Sequence, residues 1–280
     1  MPTFSFQQVD VFTDKPLKGN PLAVVIGADG LGDEAMKSLA NWTNLSETTF
    51  LLKPTDAAAD YRVRIFTPER ELPFAGHPTL GSCQVWLNSG GRAKQSHIVQ
   101  ECGAGLVRIR RDGERLAFAA PPLRRSGDVD GNTLRKIATG LRIAPAAIKA
   151  SQWCDNGPGW VAVMLGSRAD VLALKPDYPA LIGLHLGVVG PWTADDGPEA
   201  QFEVRAFIPT RATEDPVTGS LNAGLAQWLT GAGLAPPHYI ASQGTALGRA
   251  GRVHVQRDGN DVWIGGNTVT CIDGKLSLDA

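Results

Sequence analysis

The chain has 280 residues, of which 43% are hydrophobic and 20% are charged, a composition that suits two globular domains of ordinary size. Its 27 basic and 28 acidic residues leave a net charge of −1 without a basic stripe, which argues against nucleic acid and anionic membranes as partners. No apolar stretch approaches the roughly 20 residues of a membrane helix, and the segment 1–12 has no signal-peptide pattern. The four cysteines are far apart and form no CxxC pair, so we expect no metal site, no disulfide framework and a reducing, cytoplasmic setting.

In the first half of the chain, β-branched and aromatic residues predict short strands, and apolar residues at helical spacing predict helices. The predicted strands are Phe4–Phe12, Leu22–Ile26, Thr48–Leu52, Tyr61–Phe66, Val107–Arg111 and Leu116–Phe118, and the predicted helices are Asp33–Asn44 and Thr79–Leu87. Asp112-Gly113 between the last two strands is a strong signal for a β-hairpin. This half is therefore expected to be a sheet with few helices.

The second half begins after a Pro- and Gly-containing segment at 119–128, which is the predicted linker. A helix is predicted over Thr133–Leu141, with Asn132 as a possible cap, and a second helix over Ser220–Leu229. Near the end, Asp258-Gly259-Asn260 separates two apolar segments and predicts another hairpin.

The chain contains an internal repeat, because Val63–Pro68 returns as Val204–Pro209, a shift of 204 − 63 = 141 residues. Each copy precedes an uncharged helix that contains small residues, and such a helix is expected to be buried on most sides. We therefore predict an α+β fold of two pseudo-symmetric lobes, 1–123 and 124–280, each a curved, mostly antiparallel sheet around a central helix. In such a fold, the last strand of the chain can pair with the sheet of the first lobe. Two such lobes predict a cleft between them.

Both central helices begin at turns with polar residues, Ala75–Thr79 and Glu214–Ser220. A helix N-terminus carries unpaired N–H groups and a partial positive charge, so two of them across a cleft would bind a carboxylate. His77 and Asp215 are the titratable candidates in these turns. Each also has a plainer interpretation: His77 as a core or capping histidine, Asp215 as a turn residue, and Ser220 as the start of a helix.

A third candidate region joins the first helix to an apolar strand and contains Ser46 and Glu47. Burial of Glu47 beside that strand would raise its pKa and allow it to take and return a proton near neutral pH. A glutamate at a strand edge is more commonly a solvated surface residue. Asn20, in a Gly-Asn-Pro turn, could bind a polar substrate group or simply form the turn.

Taken together, four segments resemble the PhzF family of phenazine-biosynthesis-like isomerases, in order and over essentially the whole chain. They are Gly19-Asn20-Pro21, Leu45–Phe50, Phe74–Thr79 and Asp215–Ser220. The resemblance implies the diaminopimelate-epimerase-like fold, a homodimer and a reaction without a cofactor. By matching position, it implies the catalytic residues Glu47, His77 and Asp215, with substrate contacts from Asn20, Ser46, Gly219 and Ser220. The helix starts add Gly76 and Thr218 to the substrate-binding set.

The function expected from this resemblance is a 1,3-proton shift on a small carboxylate-bearing metabolite, similar to dihydro-3-hydroxyanthranilate isomerisation. Two alternatives stay open: a cofactor-independent epimerase acting on another acid, and a binding or scaffold protein of the same fold. Related racemases of this fold carry a cysteine at each helix start, where this chain has Gly76 or His77 and Thr218 or Gly219. A two-thiol racemase is therefore not expected. The identity of the substrate does not follow from the sequence.

Overall fold

The computed structural model describes residues 1–278, which divide into two compact units. The first unit contains Met1–Ala119 and the chain from Gly265 on, and the second contains Ala120–Ile264. The boundary inferred from the sequence, between residues 123 and 124, lies slightly further along the chain. None of the helices in the described residues is long and apolar enough to cross a membrane.

Up to residue 278, the first unit contains nine strands and two helices of more than one turn. The helices are α1 (Asp33–Thr43) and α2 (Gly76–Asn88). The strands are β1 (Thr3–Val11), β2 (Asn20–Ile26), β3 (Thr48–Leu52), β4 (Tyr61–Phe66), β5 (Glu71–Leu72), β6 (Ile98–Cys102), β7 (Gly105–Asp112), β8 (Arg115–Ala119) and, from the end of the chain, β17 (Thr268–Ser277).

The sheet of the first unit has the order β17-β1-β2-β3-β4-β6-β7-β8, with the short β5 also paired to β4. Among these pairs, β2–β3 and β4–β6 are parallel and the others are antiparallel. One face packs on α2, so closely that a Cβ on Gly81 would lie 2.6 Å from Leu22 Cδ2. The glycine in this buried helix is therefore required by close packing, which offsets its poor helix propensity. On the other face, α1 packs its Met36 and Leu39 near Phe50 and Phe66.

The second unit is built from the remaining strands and four helices. The helices are α3 (Gly131–Leu141), α4 (Arg168–Ala173), α5 (Tyr178–Leu181) and α6 (Gly219–Gly231). The strands are β9 (Ala150–Trp153), β10 (Trp160–Met164), β11 (His185–Pro191), β12 (Phe202–Ile208), β13 (Thr213–Asp215), β14 (His238–Gln243), β15 (Gly251–Asp258) and β16 (Asp261–Gly266), the last of which ends just past the unit boundary.

The second unit repeats the pairing pattern of the first. β9–β10 is antiparallel, β10–β11 parallel, β11–β12 and β12–β13 antiparallel, β12–β14 parallel and β14–β15 antiparallel. One face packs on α6, where a Cβ on Gly224 would lie 2.4 Å from the carbonyl oxygen of Cys154. The opposite face forms an apolar layer with α3, α4 and α5, which includes Ile137, Val171 and Phe207.

The predicted α+β fold, with a curved sheet around a central helix in each half, is confirmed, and the comparisons below agree with it. Helix starts needed correction. The cap of α3 is Asp130, whose carboxylate accepts hydrogen bonds from the backbone N–H groups of Asn132 and Thr133. Asn132 is therefore inside the first turn, because the capping side chain must precede the N–H groups it satisfies. Similarly, α2 begins at Gly76, ahead of the predicted Thr79.

Candidate active site

His77 lies in the first turn of α2, where the chain leaves the short β5 and enters the buried helix. The imidazole is buried, and its Nδ1 is 3.3 Å from Nδ2 of Asn20, the first residue of β2. The chain just before Asn20 is fixed by Asp10, whose Oδ2 accepts a hydrogen bond of 2.9 Å from the backbone N–H of Gly19. The turn at Gly19-Asn20 is thus held in place next to the histidine.

Glu47 approaches the other side of the same imidazole. The helix α1 ends at Thr43 and is capped by Asn44, which adopts a left-handed conformation with φ of 53°. The chain then turns through Ser46 and Glu47 into β3. The Glu47 side chain is 15% exposed, and its Oε2 is 3.4 Å from Nε2 of His77. The amide of Asn20 and the carboxylate of Glu47 therefore face different nitrogens of one histidine ring.

Burial lowers the pKa of His77 to about 3, although a hydrogen bond to the backbone of Pro21 acts in the opposite direction. The imidazole is therefore neutral at neutral pH. A neutral imidazole has one donating and one accepting nitrogen, so it can hold a neighbouring carboxyl group in either protonation state. The neutral ring of His77 is therefore a suitable partner for a carboxyl group that takes up a proton and releases it again.

The lowered pKa of His77 predicts a loss of stability in mild acid. The unfolded chain binds a proton near the ordinary histidine pKa of about 6.5, whereas the folded chain does not until about 3. Stability is therefore present above pH 6.5 and is lost as the pH falls, by about 2 kcal/mol between pH 7 and pH 5. We expect His77→Gln to lack this part of the pH dependence in urea unfolding measured at both pH values. An equal loss in wild-type and variant would contradict the assignment.

The cysteines in or next to the two central helices, Cys83 and Cys154, do not have activated thiols. Burial raises the pKa of Cys83 to about 12, and it raises the pKa of Cys154 to about 12 as well. A thiol with such a pKa is protonated at neutral pH and is a poor nucleophile or base. Within residues 1–278, no group of three or more His, Cys, Asp or Glu side chains is placed to hold a metal ion.

In the second unit, Asp215 ends β13 and the turn that follows leads to Thr218, the N-cap residue of α6. The hydroxyl of Thr218 donates a hydrogen bond of 2.5 Å to Oδ2 of Asp215. Both residues are also bound by the side-chain amide of Gln243 in β14. The turn with the Asp-Pro sequence is thus held by side-chain hydrogen bonds and has an ionisable side chain at its start.

Ser220 is in the first turn of α6, directly after Gly219, and it is contacted by the loop between β9 and β10 and by the first residue of β10. Nε1 of Trp160 donates a hydrogen bond of 3.0 Å to Oγ of Ser220, and Nδ2 of Asn156 donates one of 2.9 Å to its carbonyl oxygen. The segment 153–160 therefore borders the start of α6.

The structure thus gathers Asn20, Glu47 and His77 in the first unit, and Asp215, Thr218 and Ser220 in the second. Ser46, Gly76 and Gly219 lie next to these side chains in the chain and form the backbone of the same turns. Three further contacts come from Asn156, Trp160 and Gln243, which lie in loops and strands remote in sequence from the predicted turns. For Gln243, the available signal in the sequence is a glutamine that recurs after each central helix, as Gln100 and Gln243.

The family model described as "Phenazine biosynthesis-like protein" matches residues 9–274 of this chain. Antisense-enhancing sequence 1 from Schizosaccharomyces pombe is 38% identical, over 98% of this chain and 99% of the relative. Trans-2,3-dihydro-3-hydroxyanthranilate isomerase from Pseudomonas aeruginosa is 32% identical, over 96% of this chain and 98% of the relative. The crystal structure of a phenazine biosynthesis protein of the PhzF family from Enterococcus faecalis has a TM-score of 0.82 and 26% identity, and the match covers 99% of this chain and 100% of that one.

Proposed function

Since the chain belongs to the phenazine biosynthesis-like protein family and is an isomerase, we propose that it moves a proton between two carbons of a small carboxylate-bearing substrate, without a cofactor. The observation that carries this proposal is the position of the Glu47 carboxylate. Its side chain is only 15% exposed, and its Oε2 is 3.4 Å from Nε2 of the buried, neutral imidazole of His77. A carboxylate held in this way is suited to take a proton from carbon and to keep it until it is returned.

The proposed reaction is redox-neutral. The carboxylate of Glu47 removes a proton from a substrate carbon, so that a C–H bond breaks and an O–H bond forms. The electron pair left on the carbon is delocalised into the neighbouring π system of the substrate. Glu47 then returns the proton to a carbon two positions away, which restores the carboxylate and leaves an isomer of the substrate.

His77 is proposed to orient Glu47 and to share its proton during the transfer. Its Nε2 faces the carboxylate at 3.4 Å, while the amide of Asn20 approaches Nδ1 at 3.3 Å and fixes the plane of the ring. Because the ring is neutral, it does not form a strong ion pair with Glu47 that would hold the carboxylate permanently deprotonated. Ser46, next to Glu47, is proposed to contact the substrate.

Asp215 is proposed as the second acidic group of the reaction, which holds or relays a proton at a polar atom of the substrate. The start of α6 at Gly219 and Ser220 is proposed to bind the substrate carboxylate, and Gly76 at the start of α2 is proposed to contribute in the same way. Thr218 is proposed to support this site indirectly, because its N–H and its hydroxyl already donate to Gln243 and Asp215. Helix N-termini favour anions through their free N–H groups and the helix dipole. The hydroxyl of Ser220 already accepts a hydrogen bond from Trp160, so its own proton is available to an anion.

The test uses the substrate named for the relative from Pseudomonas aeruginosa, trans-2,3-dihydro-3-hydroxyanthranilate. We expect the full chain in deuterium oxide to deplete one C–H signal of this compound in the proton NMR spectrum and to introduce deuterium at a carbon two positions away. Exchange of a single α-proton with inversion, on this or another acid, would favour the epimerase alternative. Absence of carbon-proton exchange on any of a panel of cyclic and acyclic carboxylates would refute the proposal and favour a binding protein. The homodimer and the cytoplasmic setting stay predictions.

A further inference from the structure

We propose that Gln243 is a positioning residue, which holds Asp215 in the orientation that the reaction uses; this inference rests on the proposed role of Asp215. Gln243 is the last residue of β14, and its side chain is fully buried. Its Oε1 accepts hydrogen bonds from the backbone N–H of Thr218 at 3.0 Å and from Nδ2 of Asn222 at 2.8 Å. Its Nε2 donates to the carbonyl oxygen of Asp215 at 3.1 Å and to Oγ1 of Thr218 at 3.0 Å. Two accepted and two donated bonds use the whole hydrogen-bonding capacity of the amide.

The orientation of this amide is determined by its partners. The backbone N–H of Thr218 can only donate, so the atom that faces it must be the oxygen of Gln243. The nitrogen therefore faces the hydroxyl of Thr218 and donates to it. Because the hydroxyl has a single proton and receives one from Gln243, its own proton points to Oδ2 of Asp215, at 2.5 Å.

This chain of hydrogen bonds has a consequence for Asp215. Gln243 fixes its backbone directly, through the carbonyl oxygen, and its carboxylate indirectly, through Thr218. Toward Asp215, the hydroxyl of Thr218 acts as a donor. Such a donor makes a charge-assisted hydrogen bond to an ionised carboxylate and a much weaker one to a protonated carboxyl oxygen. Gln243 therefore sets both the place and the hydrogen-bonding role of Asp215, although it does not reach the carboxylate itself.

The first unit offers a matched control. Gln100 in β6 is also fully buried, with Oε1 accepting from the hydroxyl of Tyr61 at 2.9 Å and Nε2 donating to Oγ1 of Thr79 at 3.0 Å. Its partners are a core tyrosine and a threonine that donates back to the carbonyl of Ala75, at the N-cap of α2. Replacing Gln100 thus removes buried hydrogen bonds of the same kind without altering the Asp215 turn.

The experiment is a double-mutant cycle between Gln243→Met, which keeps the approximate shape of the side chain but none of its hydrogen bonds, and Asp215→Asn. The rate is followed by carbon-proton exchange on trans-2,3-dihydro-3-hydroxyanthranilate and is normalised to the folded fraction. We expect Gln243→Met to lower kcat about tenfold, which corresponds to the loss of one or two net hydrogen bonds, and to change KM by no more than about twofold. In the Asp215→Asn background, the same substitution should lower kcat no further, because two residues that act as one unit are not additive. Gln100→Met should have the same effect on kcat in both backgrounds.

Wild-type kcat in folded Gln243→Met would overturn the inference. An equal fall in kcat in both backgrounds would also overturn it, because it would indicate only a general structural role. If Gln243→Met does not fold, Thr218 provides the same test, since Thr218→Val must lower kcat and Thr218→Ser, which keeps the hydroxyl, must restore it. Equal rates of these two variants would also overturn the inference. Wild-type kcat in Asp215→Asn refutes the proposed role of Asp215, and the inference with it. A strong loss in Asp215→Asn beside wild-type kcat in Gln243→Met refutes the inference alone.

Discussion

Replacement of Glu47 by Gln is expected to lower the rate of carbon-proton exchange by about 10²- to 10⁴-fold, the usual contribution of a general base. Gln has the shape of Glu and can keep its place beside the Nε2 of His77, but it cannot take a proton from carbon. Because Glu47 is only 15% exposed, removing its charge should not weaken folding. The measurement is deuterium incorporation into trans-2,3-dihydro-3-hydroxyanthranilate at a fixed protein concentration, with urea unfolding of the variant as a check on its fold.

The matched control for this substitution is Glu34→Gln. Glu34 lies in the first turn of α1, where its side chain is 88% exposed and forms an ion pair with Lys37. It carries the same charge but lies on the surface, so its removal is expected to leave the exchange rate within about twofold of wild-type. Full exchange activity in Glu47→Gln would show that another group is the base.

Arg205→Met is expected to destabilise the second unit by about 3–5 kcal/mol, the usual result of leaving one partner of a buried ion pair alone. Arg205 donates to both oxygens of Glu214, at 3.0 and 2.7 Å, and also to the carbonyl oxygens of Val171 and Leu174. The side chains of the pair are only 7% and 4% exposed, so water cannot replace the guanidinium. The free energy of unfolding from urea titration measures the effect. Because Glu214 directly precedes Asp215, the exchange rate should fall as well.

The internal repeat supplies the control for this prediction. Arg64, at the position that corresponds to Arg205, donates to both oxygens of Glu71 at 2.7 Å and to Asp33. Glu71 is 41% exposed and Asp33 65% exposed, so both remain hydrated after Arg64→Met, and we expect a loss of only about 1 kcal/mol.

A second control removes both charges of the buried pair. Arg205→Met combined with Glu214→Leu should recover most of the loss, because an apolar pair needs no desolvation of charge. Equal effects of the Arg64 and Arg205 substitutions would contradict the role assigned to burial. The same role would be contradicted if the double variant had as low a free energy of unfolding as Arg205→Met alone.

The sequence predicted which elements surround the candidate site better than it predicted where these elements begin and end. The sequence predicts a buried helix after the turn with His77, but the helix begins at Gly76 rather than Thr79, so that His77 lies inside its first turn. Similarly, Asn132 was considered as the cap of α3, whereas Asp130 is the cap. Several residues near a helix start are compatible with the same local pattern, and the choice depends on which side chain reaches the free N–H groups.

By itself, the sequence determined the repeat, the α+β class and the nature of the two central helices. Local spacing of apolar residues fixes strands and helices, and a helix without charged residues must be buried whatever it packs against. Only the tertiary structure decided which polar groups meet. Glu47 lies next to His77 and Gln243 donates to the carbonyl oxygen of Asp215 because segments far apart in the chain come into contact. The lowered pKa of His77 depends on its burial. Such contacts have no period and no local pattern, because they arise from how the strands are ordered around each helix.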